Sequence, residues 1–194
     1  MPDPVFADLL THAQKVAIAH VAIESAAMET EIQLCVMDLC RLRYNQGEVL
    51  LKNVRLDAKT DIFFQLVQLE FPDSQLPDNF KFVREQLKNL NAQRNTIIHG
   101  EWIPLSYTSI PITRNQFADQ KDIVAVRKRG SKPPDPVSAK AVSRVAVLMA
   151  LNRRLLRRLF WEYFPDRVQG LSGIPANEKI TAGKLRTLIE RLKN

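Results

Sequence analysis

The sequence predicts an all-α protein, a helical bundle that carries one small β-hairpin insertion. Apolar residues recur at helical spacing over several long stretches, and glycine and proline cluster between those stretches. Residues 101–130 differ, because their short β-branched runs are separated by polar residues and favour strands. With 194 residues the chain is long enough for one substantial core, so we expect a single domain over residues 1–194.

The first helical stretch runs from Pro4 to Gln46 without an internal glycine or proline. Asp3 suits the N-cap, Pro4 suits the first helical position, and Gly47 suits the end of the helix. The stretch is either one long bent helix or two helices whose break the pattern does not locate. Its apolar positions are Leu9, Ala13, Val16, Ala17, Val21, Ala27, Met28, Ile32 and Leu39.

Two further helices follow, over 57–70 and 78–99. The first opens on a capping Asp57 and ends before Pro72, and the second ends at Gly100, which supplies a left-handed cap. After the hairpin insertion over 101–130, Asp135 and Pro136 begin a helix that runs to about Phe164. Residues 177–193 form a short basic amphipathic helix.

The charge of the chain is unevenly distributed. Its net charge is +7, but residues 1–126 hold 12 basic and 16 acidic residues, whereas residues 127–194 hold 16 basic and 5 acidic residues. This asymmetry indicates a polyanion such as RNA as partner of the C-terminal part. The candidate nucleic-acid-binding residues lie opposite the apolar arc of the 135–164 helix: Arg153, Arg154, Arg157 and Arg158. The alternative is that these arginines form an ordinary solvated face.

Several classes of protein are disfavoured. No apolar run reaches the roughly 20 residues of a membrane span, and acidic Asp3 and Asp8 do not suit a signal peptide, so we expect a cytoplasmic protein without a membrane partner. Cys35 and Cys40 lie about 140° apart on a helical wheel, which predicts two buried thiols rather than a disulfide. Three histidines do not assemble a metal cluster, and we expect neither a metal nor another cofactor.

The segment "RNTIIHG" places a cation on the apolar side of the 78–99 helix. On a helical wheel the core stripe lies within about 60° of Arg94. Asn95 and His99 lie on the flank of that stripe, spaced i and i+4. The stripe consists of Phe80, Val83, Leu87, Leu90, Ile97 and Ile98.

A structural role for these residues is one alternative. A buried guanidinium needs a partner, and Glu24, Glu29 or Glu31 of the first helix are candidates for a clasp with Arg94. His99 in the last turn would gain roughly 0.3–1 kcal/mol from the helix dipole.

The order Arg94, Asn95, three further positions, His99 resembles the motif of the HEPN superfamily (higher eukaryote and prokaryote nucleotide-binding), and the order of helices over roughly residues 5–165 is similar to that family. The resemblance implies an all-α homodimer with a composite site that cuts RNA without metal, in toxin–antitoxin or antiviral systems. It assigns His99 as acid and base, Arg94 as phosphate clamp and Asn95 as positioning residue. Many members carry Tyr two residues after the histidine, whereas this chain has Glu101, an acid that would repel phosphate.

Two hypotheses therefore stand beside each other. One is a metal-independent endoribonuclease completed by homodimerisation, with RNA as substrate and an antitoxin protein as a further partner. The other is a catalytically silent HEPN-like interaction or nucleotide-binding module, in which Arg94 and His99 are structural. A third idea is nucleic-acid binding through the basic C-terminal helices alone, which would be sensitive to salt and independent of His99.

Overall fold

The computed structural model describes residues 10–71, 76–104, 124–127, 135–167 and 180–193, and most of them are helical. A 3₁₀ turn at Pro165–Arg167 follows the fifth helix. Within these ranges no helix has the length and apolar character that crossing a bilayer demands. The predicted all-α class is confirmed for the described part of the chain. Its helices are α1 (His12–Leu39), α2 (Tyr44–Leu51), α3 (Leu56–Glu70), α4 (Asp78–His99), α5 (Ala139–Tyr163) and α6 (Ala182–Lys193).

Helix α1 begins with a capping box formed by Thr11 and Gln14. The Thr11 N–H donates to Gln14 Oε1 at 2.8 Å, and the Gln14 N–H donates to Thr11 Oγ1 at 3.3 Å. This reciprocal pair satisfies donors that the first helical turn leaves free. The start that we predicted at Asp3 and Pro4 lies outside the described residues, and α1 begins at His12.

The long first stretch is two helices, and the break falls between Leu39 and Tyr44. The Leu42 N–H donates to Met37 O at 2.9 Å and the Arg41 N–H to Asp38 O at 3.1 Å, which is the Schellman pattern of a helix end. Arg41 has a φ of 55°, in the left-handed region that glycine usually occupies at this position. The chain therefore turns at a strained arginine.

Gly47 does not end a helix, and this prediction is wrong. It is buried inside α2, and its N–H donates to Arg43 O at 3.0 Å as in any helical turn. A Cβ at this position would overlap the side chain of the buried Met37. Gly47 is needed because it lets α2 pack closely against the end of α1.

Helices α3 and α4 match the predicted ranges to within one residue. Asp57 is not the N-cap of α3, which is Arg55. It lies in the first turn, where its Oδ1 accepts the Ala58 N–H at 3.1 Å. The predicted stripe of α4 is buried at Phe80, Val83, Leu87, Leu90 and Ile97, while Ile98 is half-buried.

Helix α5 begins later than predicted. Asp135 and Pro136 belong to a short strand, and the helix starts at Ala139 because Ser138 Oγ accepts the Ala141 N–H at 3.1 Å as an N-cap. Helix α6 likewise begins at Ala182 rather than 177. There Thr181 Oγ1 accepts the Lys184 N–H at 3.4 Å.

Three short strands accompany the helices: β1 (Glu101–Pro104), β2 (Val124–Arg127) and β3 (Asp135–Val137). They pair antiparallel in the order β1-β2-β3, with Glu101 opposite Arg127 and Val124 opposite Val137. Most of residues 101–130 lie outside the described ranges. The hairpin insertion predicted there therefore stays a prediction.

The chain divides into two compact units, one made of Met1–Glu24 and Ala92–Val147, the other of Ser25–Asn91 and Leu148–Asn194. The prediction of a single domain stays a prediction. Among the described residues of the first unit, the buried apolar side chains are all aliphatic: Ala17, Val21, Ile97, Val142, Val145 and Ala146.

The second unit is a helical bundle around an aromatic core. The ring of Phe63 lies 5.0 Å from that of Phe64 and 6.4 Å from those of Phe80 and Phe160, measured between centroids. All four rings are fully buried, and rings at such separations attract each other beyond their burial. The residues that meet here come from α3, α4 and α5, so this cluster holds three helices together.

Candidate functional site

The residues of the predicted site meet at the C-terminal end of α4. Arg94 Nη1 donates to Asn95 Oδ1 at 2.8 Å and lies 3.4 Å from His99 Nε2. Arg94 and Asn95 are neighbours in the sequence, and the long Arg94 side chain also reaches His99, five residues further along the same helix. The three residues that the sequence singled out are therefore in contact, and we refer to them as the α4 triad.

The contacts of the α4 triad show which atoms face each other. Arg94 Nη1 can only donate, and it lies opposite Nε2 of the His99 ring. Asn95 Oδ1 also faces Arg94, so the NH₂ group of Asn95 points away from the guanidinium. The α4 triad thus places a fixed cation beside an imidazole.

Exposure differs across the α4 triad. His99 is exposed, while Arg94 and Asn95 are half-buried. The Arg94 Nε atom is buried and has no hydrogen-bond partner among the described residues. The Nε end of the Arg94 side chain is thus buried, as the helical wheel indicated. Its Nη1 atom instead reaches Asn95 and His99.

The predicted clasp between Arg94 and α1 is not formed within the described residues, where Arg94 makes no ion pair. Two of the three candidate carboxylates have other partners. Glu29 accepts from the buried Lys59 Nζ at 2.8 Å, and Glu31 binds Arg157. Neither is left to neutralise Arg94.

The end of α4 is closed by backbone and indole donors. The Gly100 N–H donates to Thr96 O at 2.9 Å, and Trp102 Nε1 donates to Ile97 O at 3.2 Å. These bonds satisfy carbonyls that a helix end leaves free. The role of Trp102 was not anticipated, and the only signal in the sequence was its position just beyond the helix. The side chain of Glu101 lies outside the described residues.

The four arginines of α5 belong to the second unit and do not form one uniform face. Arg157 Nε donates to Glu31 Oε1 at 2.9 Å, its Nη2 donates to Glu31 Oε2, and that carboxylate is buried. Arg158 Nε donates to Glu162 Oε1 at 2.6 Å. Arg154 is exposed and Arg153 is half-buried. Arg157 thus faces α1 rather than the solvated arc on which the wheel had placed it.

The cysteines differ from the predicted pair of buried thiols. Cys35 is buried and Cys40 is exposed, so that half of the prediction is wrong. Burial raises the pKa of the Cys35 thiol well above its usual value, and the nearby carboxylates of Glu31 and Asp38 raise this pKa further. Cys35 is therefore an inert core residue.

No family model, curated protein or solved structure matches the chain. Among the described residues, no group of three or more His, Cys, Asp or Glu is arranged to hold a metal ion. The case for a function therefore depends on the geometry of the α4 triad and on the distribution of charge.

Proposed function

We propose that the chain is a metal-independent endoribonuclease of the HEPN type, which acts as a homodimer in a toxin–antitoxin or antiviral system. A hairpin insertion over 101–130 belongs to the same proposal. The observation that carries it is the α4 triad, in which a guanidinium contacts an exposed imidazole at 3.4 Å without being neutralised by a described carboxylate. An arginine and a histidine in this arrangement are the two groups that RNA cleavage without metal requires.

The proposed reaction uses one α4 triad from each protomer. The imidazole of His99 takes the proton of a ribose 2′-hydroxyl, and the 2′-oxygen attacks the adjacent phosphorus. The bond from phosphorus to the 5′-oxygen breaks, and the partner's His99, in its protonated form, donates a proton to that oxygen. The products are a 2′,3′-cyclic phosphate and a free 5′-hydroxyl. One histidine takes a proton and the other gives one, and the reaction uses no metal.

Arg94 and Asn95 serve the phosphate in this scheme. The guanidinium stabilises the charge that develops on the phosphate oxygens, and a planar fork of donors suits two of them at once. Asn95 holds that fork through its 2.8 Å bond to Nη1. Exposed Arg154 on α5 is the residue of the basic face best suited to contact RNA.

The test is cleavage of a labelled RNA by the full chain with EDTA present. We expect products that end in 2′,3′-cyclic phosphate, and a loss of about 10²–10⁴-fold in rate for His99→Ala. His20→Ala is the matched control, because His20 is also an exposed helical histidine. Cleavage that survives His99→Ala, or that EDTA abolishes, would refute the proposal.

A second candidate function is a catalytically silent binding module, and one observation favours it. The hydrogen bonds of the α4 triad are made among its own members, directly beside the bonds from Gly100 and Trp102 that close α4. In this case the triad completes the end of the helix and has no catalytic role.

Thermal unfolding separates the two candidates. If the chain is a nuclease, Arg94→Ala should abolish cleavage of RNA, and His99→Ala should leave the Tm nearly unchanged. If it is a silent binding module, the wild type should not cleave RNA, and Arg94→Ala should lower the Tm. Arg84→Ala is a suitable control for Arg94→Ala, since Arg84 is an exposed arginine of the same helix.

A further inference from the structure

Helix α2 presents apolar side chains to solvent. Val49 is 82% exposed, Leu50 61% and Tyr44 57%, although the helix has only eight residues. The buried side of α2 is limited to Gly47 and Leu51. A short helix that exposes more large apolar side chains than it buries is typical of an interaction surface. We call residues 41–55, which contain this helix, the α2 corner.

The surface of the α2 corner is open to solvent and carries directed donors. A shallow depression of about 450 Å³ is lined by Leu42, Asn45, Gln46, Val49 and Leu50. Asn45 Oδ1 accepts the Gln46 N–H at 3.0 Å, and Gln46 Oε1 accepts the Arg43 N–H at 2.9 Å. Because both amide oxygens accept backbone donors, both NH₂ groups point elsewhere and suit acceptors of a ligand.

The segment that contains the depression is positively charged. The α2 corner contains four cations and one carboxylate, a net charge of +3, within the part of the chain that is acidic as a whole. Arg41, Arg43 and Lys52 are exposed. The single carboxylate, Glu48, is half-buried and its Oε1 accepts from Gln33 Nε2 at 2.6 Å, so it is turned toward α1. The outer surface thus combines cations, amide donors and apolar side chains.

The backbone of the α2 corner is held in one arrangement. Arg41 occupies the left-handed region with a φ of 55°, a conformation that usually favours glycine. At this position Arg41 adds an exposed cation to the α2 corner, and its backbone is strained. Close packing of Gly47 on Met37 then seats α2 against α1, which keeps the apolar side chains turned outward.

We propose that the α2 corner binds an acidic amphipathic segment of a partner protein. Apolar side chains of the segment enter the depression beside Val49 and Leu50, and its carboxylates meet Arg41, Arg43 and Lys52. A second copy of this chain would bring like charges together. The amide donors of Asn45 and Gln46 suit the carbonyl and carboxylate oxygens of a peptide segment. The inference is independent of the proposed nuclease activity.

The experiment selects a random peptide library displayed on phage against the full chain, with counter-selection against the Val49→Asp/Leu50→Asp variant. We expect enriched peptides to combine apolar residues at helical spacing with Asp and Glu. A synthetic peptide of the selected sequence should bind about tenfold more weakly to Leu50→Asp in fluorescence anisotropy. Leu69→Asp should bind like the wild type, because Leu69 lies on α3, outside the α2 corner, and is even more exposed than Leu50.

Charge exchange completes the test. Arg43→Glu/Lys52→Glu should lose the acidic peptide and gain affinity for the same peptide with Lys in place of Glu. Several outcomes would overturn the proposal: no enrichment, enrichment of basic or uncharged peptides, or equal binding by Leu50→Asp. So would binding only to vesicles of phosphatidylglycerol, or self-association in sedimentation that Leu50→Asp abolishes. Thermal unfolding of each variant checks that it is folded.

Discussion

Replacing Arg157 by Met should destabilise the protein strongly, although this arginine was first assigned to a solvated face. Its Nε and Nη2 atoms bind both oxygens of Glu31, whose side chain is only 2% exposed. Without the guanidinium, the Glu31 carboxylate would remain in the core without its counter-charge. A buried charge that loses its partner is far more costly than an absent pair.

The magnitude follows from the burial of the two partners. Breaking a buried ion pair on one side typically destabilises by about 3–5 kcal/mol. The Arg157 side chain is 28% exposed, so water screens part of the interaction and the lower end applies, about 3 kcal/mol. For a chain of this size, each 1 kcal/mol shifts the Tm by about 2–4 °C. We therefore expect Arg157→Met to lower the Tm by about 10 °C.

The assay is urea and thermal unfolding followed by circular dichroism, with Arg158→Met as matched control. Arg158 is the next residue of α5, and its pair with Glu162 is a partly exposed i,i+4 contact worth about 0.5 kcal/mol. The double variant Glu31→Met/Arg157→Met should recover most of the lost stability, because it removes both charges. Equal Tm values for Arg157→Met and Arg158→Met, or a double variant no more stable than Arg157→Met, would show that the reasoning is wrong.

Three further predictions concern the α2 corner and the cysteines. Arg41→Gly should be more stable than Arg41→Ala by about 1 kcal/mol in urea unfolding, because only glycine adopts a φ of 55° without strain; equal stability would contradict this. Gly47→Ala should destabilise by about 1–3 kcal/mol, since the added methyl overlaps buried Met37, and an unchanged urea midpoint would show that Met37 can move aside. A thiol reagent should modify Cys40 in the native protein, whereas Cys35, whose pKa is raised by burial, should react only after unfolding. Rapid labelling of both cysteines in the native protein would contradict the burial of Cys35.

The helices that could be predicted well are those with strong local signals at both ends. Helix α4 begins after a proline-containing loop and ends at Gly100, and its apolar stripe has a helical period, so its range and its buried face both follow from neighbouring residues. The range of α3 also follows from its helical period, although its N-cap is Arg55 rather than Asp57. The contact of Arg94 with Asn95 and His99 is also local, because it arises within two turns of one helix.

The predicted helix ends were wrong where a residue type that often marks a helix end has another structural role in this protein. Gly47 is a common signal for the end of a helix, but here its lack of a side chain allows α2 to pack on Met37. The end of α1 lies instead at Arg41, a residue that no propensity places in a left-handed turn. Asp135 and Pro136 suit a helix start, yet they pair with β2, and Ser138 performs the capping.

By itself, then, the sequence determined the helical class and the bounds of α3 and α4, and it singled out Arg94, Asn95 and His99 as candidates, since each depends on residues a few positions apart. The tertiary structure decided which charges are neutralised. A glutamate of α1 was expected to pair with an arginine, and Glu31 does so, but with Arg157 across 126 positions rather than with Arg94. Which cation meets a buried carboxylate depends on how distant helices pack, and the periodicity of a single helix carries no information about that.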